Sequence, residues 1–257
     1  MATAASFRPI RASDTRFFTV SAILMTLVMV AGFSVNIVTG RSSFSAPPLV
    51  HAHAVVFFGW VMIYLTQNLL VGSGNVALHR RLGWIASIWI PLMLVFGTAV
   101  TLAMVRRGNV PFFFQPQHFL VFDPGSLIFF TALAVAAIRM RRRTDWHRRL
   151  MFCGMTLLLG PGLGRLLPAP LVIPYAFDVI FAATLVFPLA GIIADLRRDG
   201  RVHPAWIWGL AGVLACYGTI QAVTFSPLGD ALYAAAVADT PAAGVPGLAF
   251  GALPPGL

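Results

Sequence analysis

Apolar stretches of about twenty residues, separated by short loops that carry arginine, leave this chain few folds to adopt. They fall near 17–38, 50–71, 82–105, a fourth starting at either His118 or Asp123, 144–164, 171–194 and 205–225. A helix needs about 20 residues to cross the ~30 Å hydrocarbon layer of a bilayer. In lipid, only helices and closed barrels satisfy their own backbone. Hydrophobic residues fill 58% of the 257 positions and charged residues only 10%. A soluble domain carries about a quarter charged residues, so no large soluble domain fits. The expected fold class is all-α: a polytopic membrane protein of seven transmembrane helices. Its parts are a segment 1–16, a membrane domain 17–225, and a tail 226–257 rich in Ala, Gly and Pro. The tail reads as a poorly ordered extension, with one short interfacial helix as a candidate within it.

All 18 basic residues are Arg and all 8 acids are Asp. The net charge of +10 does not point to nucleic acid, because the arginines sit in short loops between apolar runs. Their distribution instead sets orientation. With seven spans and the N-terminus inside, 14 arginines face inward and 4 (Arg41, Arg106, Arg107 and Arg165) face outward. The expected topology is N-in and C-out. Cys153 and Cys216 fall in different apolar runs, which predicts two buried free thiols.

Within that frame the histidines alternate. His53 opens the second span and His118 the fourth, both at the outer face, while His79 and His147 open the third and fifth at the inner face. A four-helix core of spans two to five would place His53 opposite His118 and His79 opposite His147. Paired imidazoles from parallel helices are one way a bundle holds a b-type haem. His53, Phe57, Trp60, Tyr64 and Gln67 recur at helical steps along span two, a stripe that serves packing as readily as a cofactor. Gly83, Gly125 and Gly154 lie on the histidine faces and would leave room for a macrocycle. Arg80, Arg81, Arg148 and Arg149 directly follow the inner histidines, where they would pair with propionates. The bland alternative is interfacial anchoring, since HRRL is also an ordinary inner-face helix start.

The one-histidine-per-helix pattern over residues 50–168 resembles the di-haem transmembrane cytochromes b of the ascorbate-linked and ferric-reductase type. That resemblance implies axial ligation by His53 with His118 and by His79 with His147. It implies one or two haem b groups carrying electrons across the membrane to a quinone or another redox partner. The HxH and HRRL pairs also resemble those of uncharacterised bacterial multi-pass proteins, which implies a bacterial inner membrane. The rival readings are a non-catalytic membrane protein (an assembly factor or a subunit of a larger complex) and a small-solute or metal transporter.

Buried charge marks a second place. Arg165 ends span five and Asp178 lies about two turns into span six, so an outer Arg165–Asp178 pair is expected. It would either line an outer polar site or clamp a helical hairpin. Gly160, Gly162 and Gly164 nearby permit close helix approach. Asn36, Gln67 and Asn68 read as interhelical hydrogen-bond partners. No phosphate loop, HExxH, GxSxG or CxxC motif occurs.

Overall fold

The computed structural model describes residues 12–41 and 44–252; Arg8, Arg11 and the last five residues lie outside them. Among the described residues six helices are long and apolar enough to cross a membrane. Leu27, Val55, Met62, Ile88 and Val95 point outward along their helices. So many exposed large apolar side chains suit lipid and not water. The chain is a multi-pass helical membrane protein.

Helix α1 covers Ala12–Val38, α2 Pro48–Gly72, α3 Val76–Arg106 and α4 Pro116–Arg139. Pro48 and Pro116 occupy first turns, where the missing N–H costs nothing. The fourth span therefore starts before His118. Asp123 is not an N-cap: α4 runs unbroken through Pro124, and the Asp123 carboxylate accepts a 2.8 Å hydrogen bond from Thr101 of α3.

The fifth predicted span is two helices, α5 (Thr144–Leu157) and α6 (Gly160–Leu166), stepped at Leu158 and Leu159. Together they run beside α1 in the same direction, with Arg148 bound to Asp14 and Gly162 against Gly32. The stretch from Asp14 to Gly32 rises about 27 Å at 1.5 Å per residue, close to a bilayer core. A Cβ on Gly32 would come within 2.3 Å of the Gly162 carbonyl oxygen, and one on Gly164 within 2.9 Å of Ile180. The glycine run thus wedges α6 between its neighbours. A short 3-10 turn, Ala169–Val172, leads into α7 (Ala176–Thr184) and α8 (Val186–Asp199), which form one 24-residue apolar segment. Helix α9, Pro204–Thr224, returns antiparallel to α4, with Gly212 against Leu133 and Ile220 against Gly125.

The core is wider than the expected four helices. α1 packs on α2 and α6, and α9 packs on α4 and α5. Trp60, Tyr64, Met93, Phe130 and Met155 fill the centre, each 5% exposed or less. Gly59 gives way to the Trp89 indole, which donates a 2.7 Å hydrogen bond to the Val56 carbonyl and ties α3 to α2. Cys153 and Cys216 are buried free thiols, as expected.

The tail departs from its expected looseness. Helix α10 covers Pro227–Val237, and the segment behind it folds back over the bundle. Gln117 of α4 donates through Nε2 to the Thr224 carbonyl at 2.7 Å and to Asp230 at 2.8 Å. The Gln117 N–H donates to the Gly247 carbonyl, and Arg106 donates to the Ala236 carbonyl at 3.0 Å. The first turn of α4 therefore pins the tail, a role no local composition signals.

Candidate functional site

Polar groups gather at the two ends of the bundle. One end holds the starts of α1, α3, α5 and α9 and the end of α8, and carries most of the arginines. The other holds the starts of α2, α4 and α7 beneath the folded tail.

At the arginine-rich end the structure brings His79 and His147 together. Their ring centroids are 6.3 Å apart and their planes cross at 80°. His147 Nδ1 lies 2.8 Å from the Ala137 carbonyl oxygen. With Nδ1–H donating there, Nε2 keeps a free lone pair, the outer-shell arrangement that fixes a ligating histidine's tautomer. His79 Nδ1 is buried without a hydrogen-bond partner, as are Gln67 Oε1 and Arg148 Nε. Gly83 faces Gln67, whose Nε2 an added Cβ would meet at 3.6 Å, ordinary van der Waals contact.

The other two glycines are used differently. Gly125 meets Ile220 of α9 and Gly154 meets Leu133 and Phe130 of α4, so their space is taken by helix packing. Arg148 and Arg149 are also committed elsewhere. Arg148 is bound to Asp14 and Asp145. Arg149 grips Asp195 of α8 through Nη2 and Nε at 2.8 and 3.2 Å. Arg198 joins Asp14 at 2.7 Å and Asp195 at 2.6 Å. Arg149 and Asp195 are each 2% exposed. Of the four arginines that follow the inner histidines, Arg80 and Arg81 are exposed and remain open to a ligand's acidic groups.

The sequence reading missed Asp14 and Asp195. The available signal was charge balance: both acids lie within a turn of arginine at the end where arginine collects.

No family model, curated protein or solved structure matches this chain. Its own geometry carries the functional argument.

At the tail end His53 and His118 are separated in environment. His53 stacks on Phe57 at 4.1 Å, with its Nδ1 buried and unpartnered. His118 is enclosed by Phe177 at 4.4 Å and Phe225 at 5.9 Å, and its Nε2 is unpartnered. Among the described residues no ring contact joins the two histidines.

The expected Arg165–Asp178 pair does not form. Asp178 Oδ1 accepts from the Tyr217 hydroxyl at 2.6 Å and from Gln221 Nε2 at 3.2 Å. Arg165 instead donates to the Pro161 carbonyl at 2.7 Å and lies 4.0 Å over the Phe33 ring, where the π-face attracts the cation. The two residues leave their helices in different directions, which chain position cannot reveal. Asn68 likewise donates within its own helix, to the Tyr64 carbonyl at 2.9 Å, and not across to another. Tyr217 and Gln221 were also missed, although a polar pair four apart in an apolar span is itself a sign of an inward-facing polar site.

Proposed function

We propose that this protein is a cytochrome b-like electron carrier with seven traverses, its N-terminus in the cytoplasm of a bacterial cell. It would hold a b-type haem by His79 and His147 at the arginine-rich, inner end. The observation that carries the reading is the 6.3 Å separation of those two rings. A metal bound at about 2.0–2.1 Å by one nitrogen of each ring holds those nitrogens about 4 Å apart. Each ring centre lies roughly an ångström beyond its nitrogen, so the observed spacing is in range.

The chain's own contributions follow from its residues. His147 is oriented by the Ala137 carbonyl. Arg80 and Arg81 would meet propionates. The Trp60–Phe130 contact and the rest of the packed centre exclude water from the path between the two ends. The haem, when bound, would supply a one-electron couple tuned by its ligands and burial. A quinone or another redox protein would exchange electrons with it.

The test is a visible spectrum of the purified protein, oxidised and then dithionite-reduced. A Soret band that shifts on reduction is expected. His79→Ala and His147→Ala should each remove it, and the double variant should remove no more, because low-spin iron needs both ligands. Loss of a separate share of haem in both His53→Ala and His118→Ala would extend the reading to a second, outer haem. A colourless folded protein would overturn the haem reading. It would favour a non-catalytic membrane subunit, which the packed glycines Gly125 and Gly154 already support.

A further inference from the structure

Beneath the folded tail lies a small cavity of about 50 Å³, lined by five phenylalanines and by His118, Asp178, Gln115 and Gln221. The haem reading makes no use of it. At roughly 10–15 Å³ per water-sized site, it holds on the order of three to five heavy atoms.

Its polar groups share one character. Gln221 Nε2 is committed to Asp178 Oδ1 and, at 3.3 Å, to the Tyr217 oxygen. The amide atom left over is Oε1, buried and unpartnered, which can only accept. Asp178 is an acceptor, met within its cluster by the neutral donors Tyr217 and Gln221. Gln115 Nε2 donates to the Leu248 carbonyl at 2.6 Å. His118 is 7% exposed, and its unpartnered Nε2 accepts in one tautomer. Among the described residues no arginine lines the space.

A carboxylate, an orphaned amide oxygen and an imidazole nitrogen, walled by Phe177, Phe225 and Phe250, call for a compact cation with N–H donors. The faces of phenyl rings attract cations, and each N–H would fill an acceptor that otherwise stays empty at a cost. An anion meets the wrong charge. A quinone needs donors, and the donors of Tyr217 and Gln221 already face Asp178.

We propose that this cavity is a binding site for a small primary ammonium cation, of the size of ammonium or methylammonium. The Asp178 carboxylate supplies the charge, and Gln221 Oε1 and His118 Nε2 accept N–H bonds. The tail, pinned by Gln117 and carrying Phe250, closes the site from the end of the bundle.

The experiment uses full-length protein in nanodiscs and radiolabelled methylammonium in equilibrium binding. Saturable binding of one methylammonium per chain is expected. Ammonium should compete, whereas sodium (no N–H) and tetramethylammonium (no N–H and too bulky) should not. Asp178→Asn keeps the shape and removes the charge, and should weaken binding about tenfold or more. Gln221→Leu should weaken it as well. Methylammonium should also raise the melting temperature of the unmodified protein and not that of Asp178→Asn, which separates lost binding from lost folding. Three results would overturn the proposal: no saturable binding, binding unchanged in Asp178→Asn, or equal competition by tetramethylammonium. The first of these would mean a cavity holding water only. All three can be read whether or not a haem is held by His79 and His147, which lie at the opposite end of the bundle.

Discussion

The two ends of the bundle both bury polar groups and treat them in opposite ways. At the arginine-rich end Asp14, Asp145 and Asp195 face Arg148, Arg149 and Arg198, and each of the six has a partner of opposite charge. At the tail end Asp123 and Asp178 are met by a threonine, a tyrosine and a glutamine. Arg165 lies over a phenylalanine ring there, and Asp123 attracts it only from beyond ion-pair distance. A network of paired charges, which Asp199 joins through Arg198, ties α1, α5 and α8 together and leaves little for a ligand to gain. A carboxylate held only by neutral donors keeps its charge available. The first arrangement suits a clamp and the second a site.

The largest test of this contrast breaks the clamp. Asp195→Ala leaves Arg149 buried without its closest partner and should cost about 3–5 kcal/mol. Arg149→Met combined with Asp195→Leu removes one charge of each sign and should cost far less. Thermal denaturation of the single and double variants in detergent measures both. Equal losses would mean that the network contributes no more than its packing.

At the tail end a smaller effect is expected. Tyr217→Phe removes one hydrogen bond to a carboxylate, worth about 1.5–3 kcal/mol. Asp178→Ala and Tyr217→Phe should be strongly non-additive, since each removes the same bond. Arg165→Ala and Asp178→Ala should instead add within about 0.3–0.5 kcal/mol, as unconnected sites do. Strong coupling between Arg165 and Asp178 would restore the ion pair that the sequence suggests and erase the difference between the ends.

The smallest effect concerns His203, which sits before α9 beside the clamp. Its Nδ1 accepts from the Ala205 N–H at 3.1 Å, capping the helix, and its own N–H donates to Asp195 at 3.2 Å. Burial, with Arg149 nearby, lowers its pKa from the ordinary value. The neutral ring is therefore the folded form. Its contribution is complete above about pH 6.5 and is lost as pH falls through the lowered folded value. His203→Asn keeps an acceptor at the cap and has no proton to gain. The melting temperature of the unmodified protein should fall further between pH 7 and pH 5 than that of His203→Asn, by the equivalent of about 1 kcal/mol. Identical pH profiles would remove His203 from the cap.

Much of the architecture was legible because span length and polarity are local properties. A run of about twenty apolar residues must be helical in lipid wherever it occurs. Pro48 carries its own start signal, whereas α4 starts at Pro116, ahead of the His118 or Asp123 start that the sequence suggests. The arginines of HRRL marked the end at which His79 and His147 meet.

Three-dimensional packing decided the rest, because side-chain partnership depends on helix rotation and helix neighbours, which spacing along the chain does not encode. Asp178 and Arg165 lie thirteen positions apart, at the same end, and still turn to different partners. Asp123 followed by Pro124 has the form of a helix start. It became an interior residue because Thr101 of α3 stands within 2.8 Å of its carboxylate. The tail has the composition of a loose extension, yet it is ordered by hydrogen bonds to Gln117 and Arg106, more than a hundred positions earlier. Sequence alone determined a helical membrane protein and the ends at which its polar residues collect. Only the tertiary structure determined which of those residues cancel one another's charge and which remain free to bind.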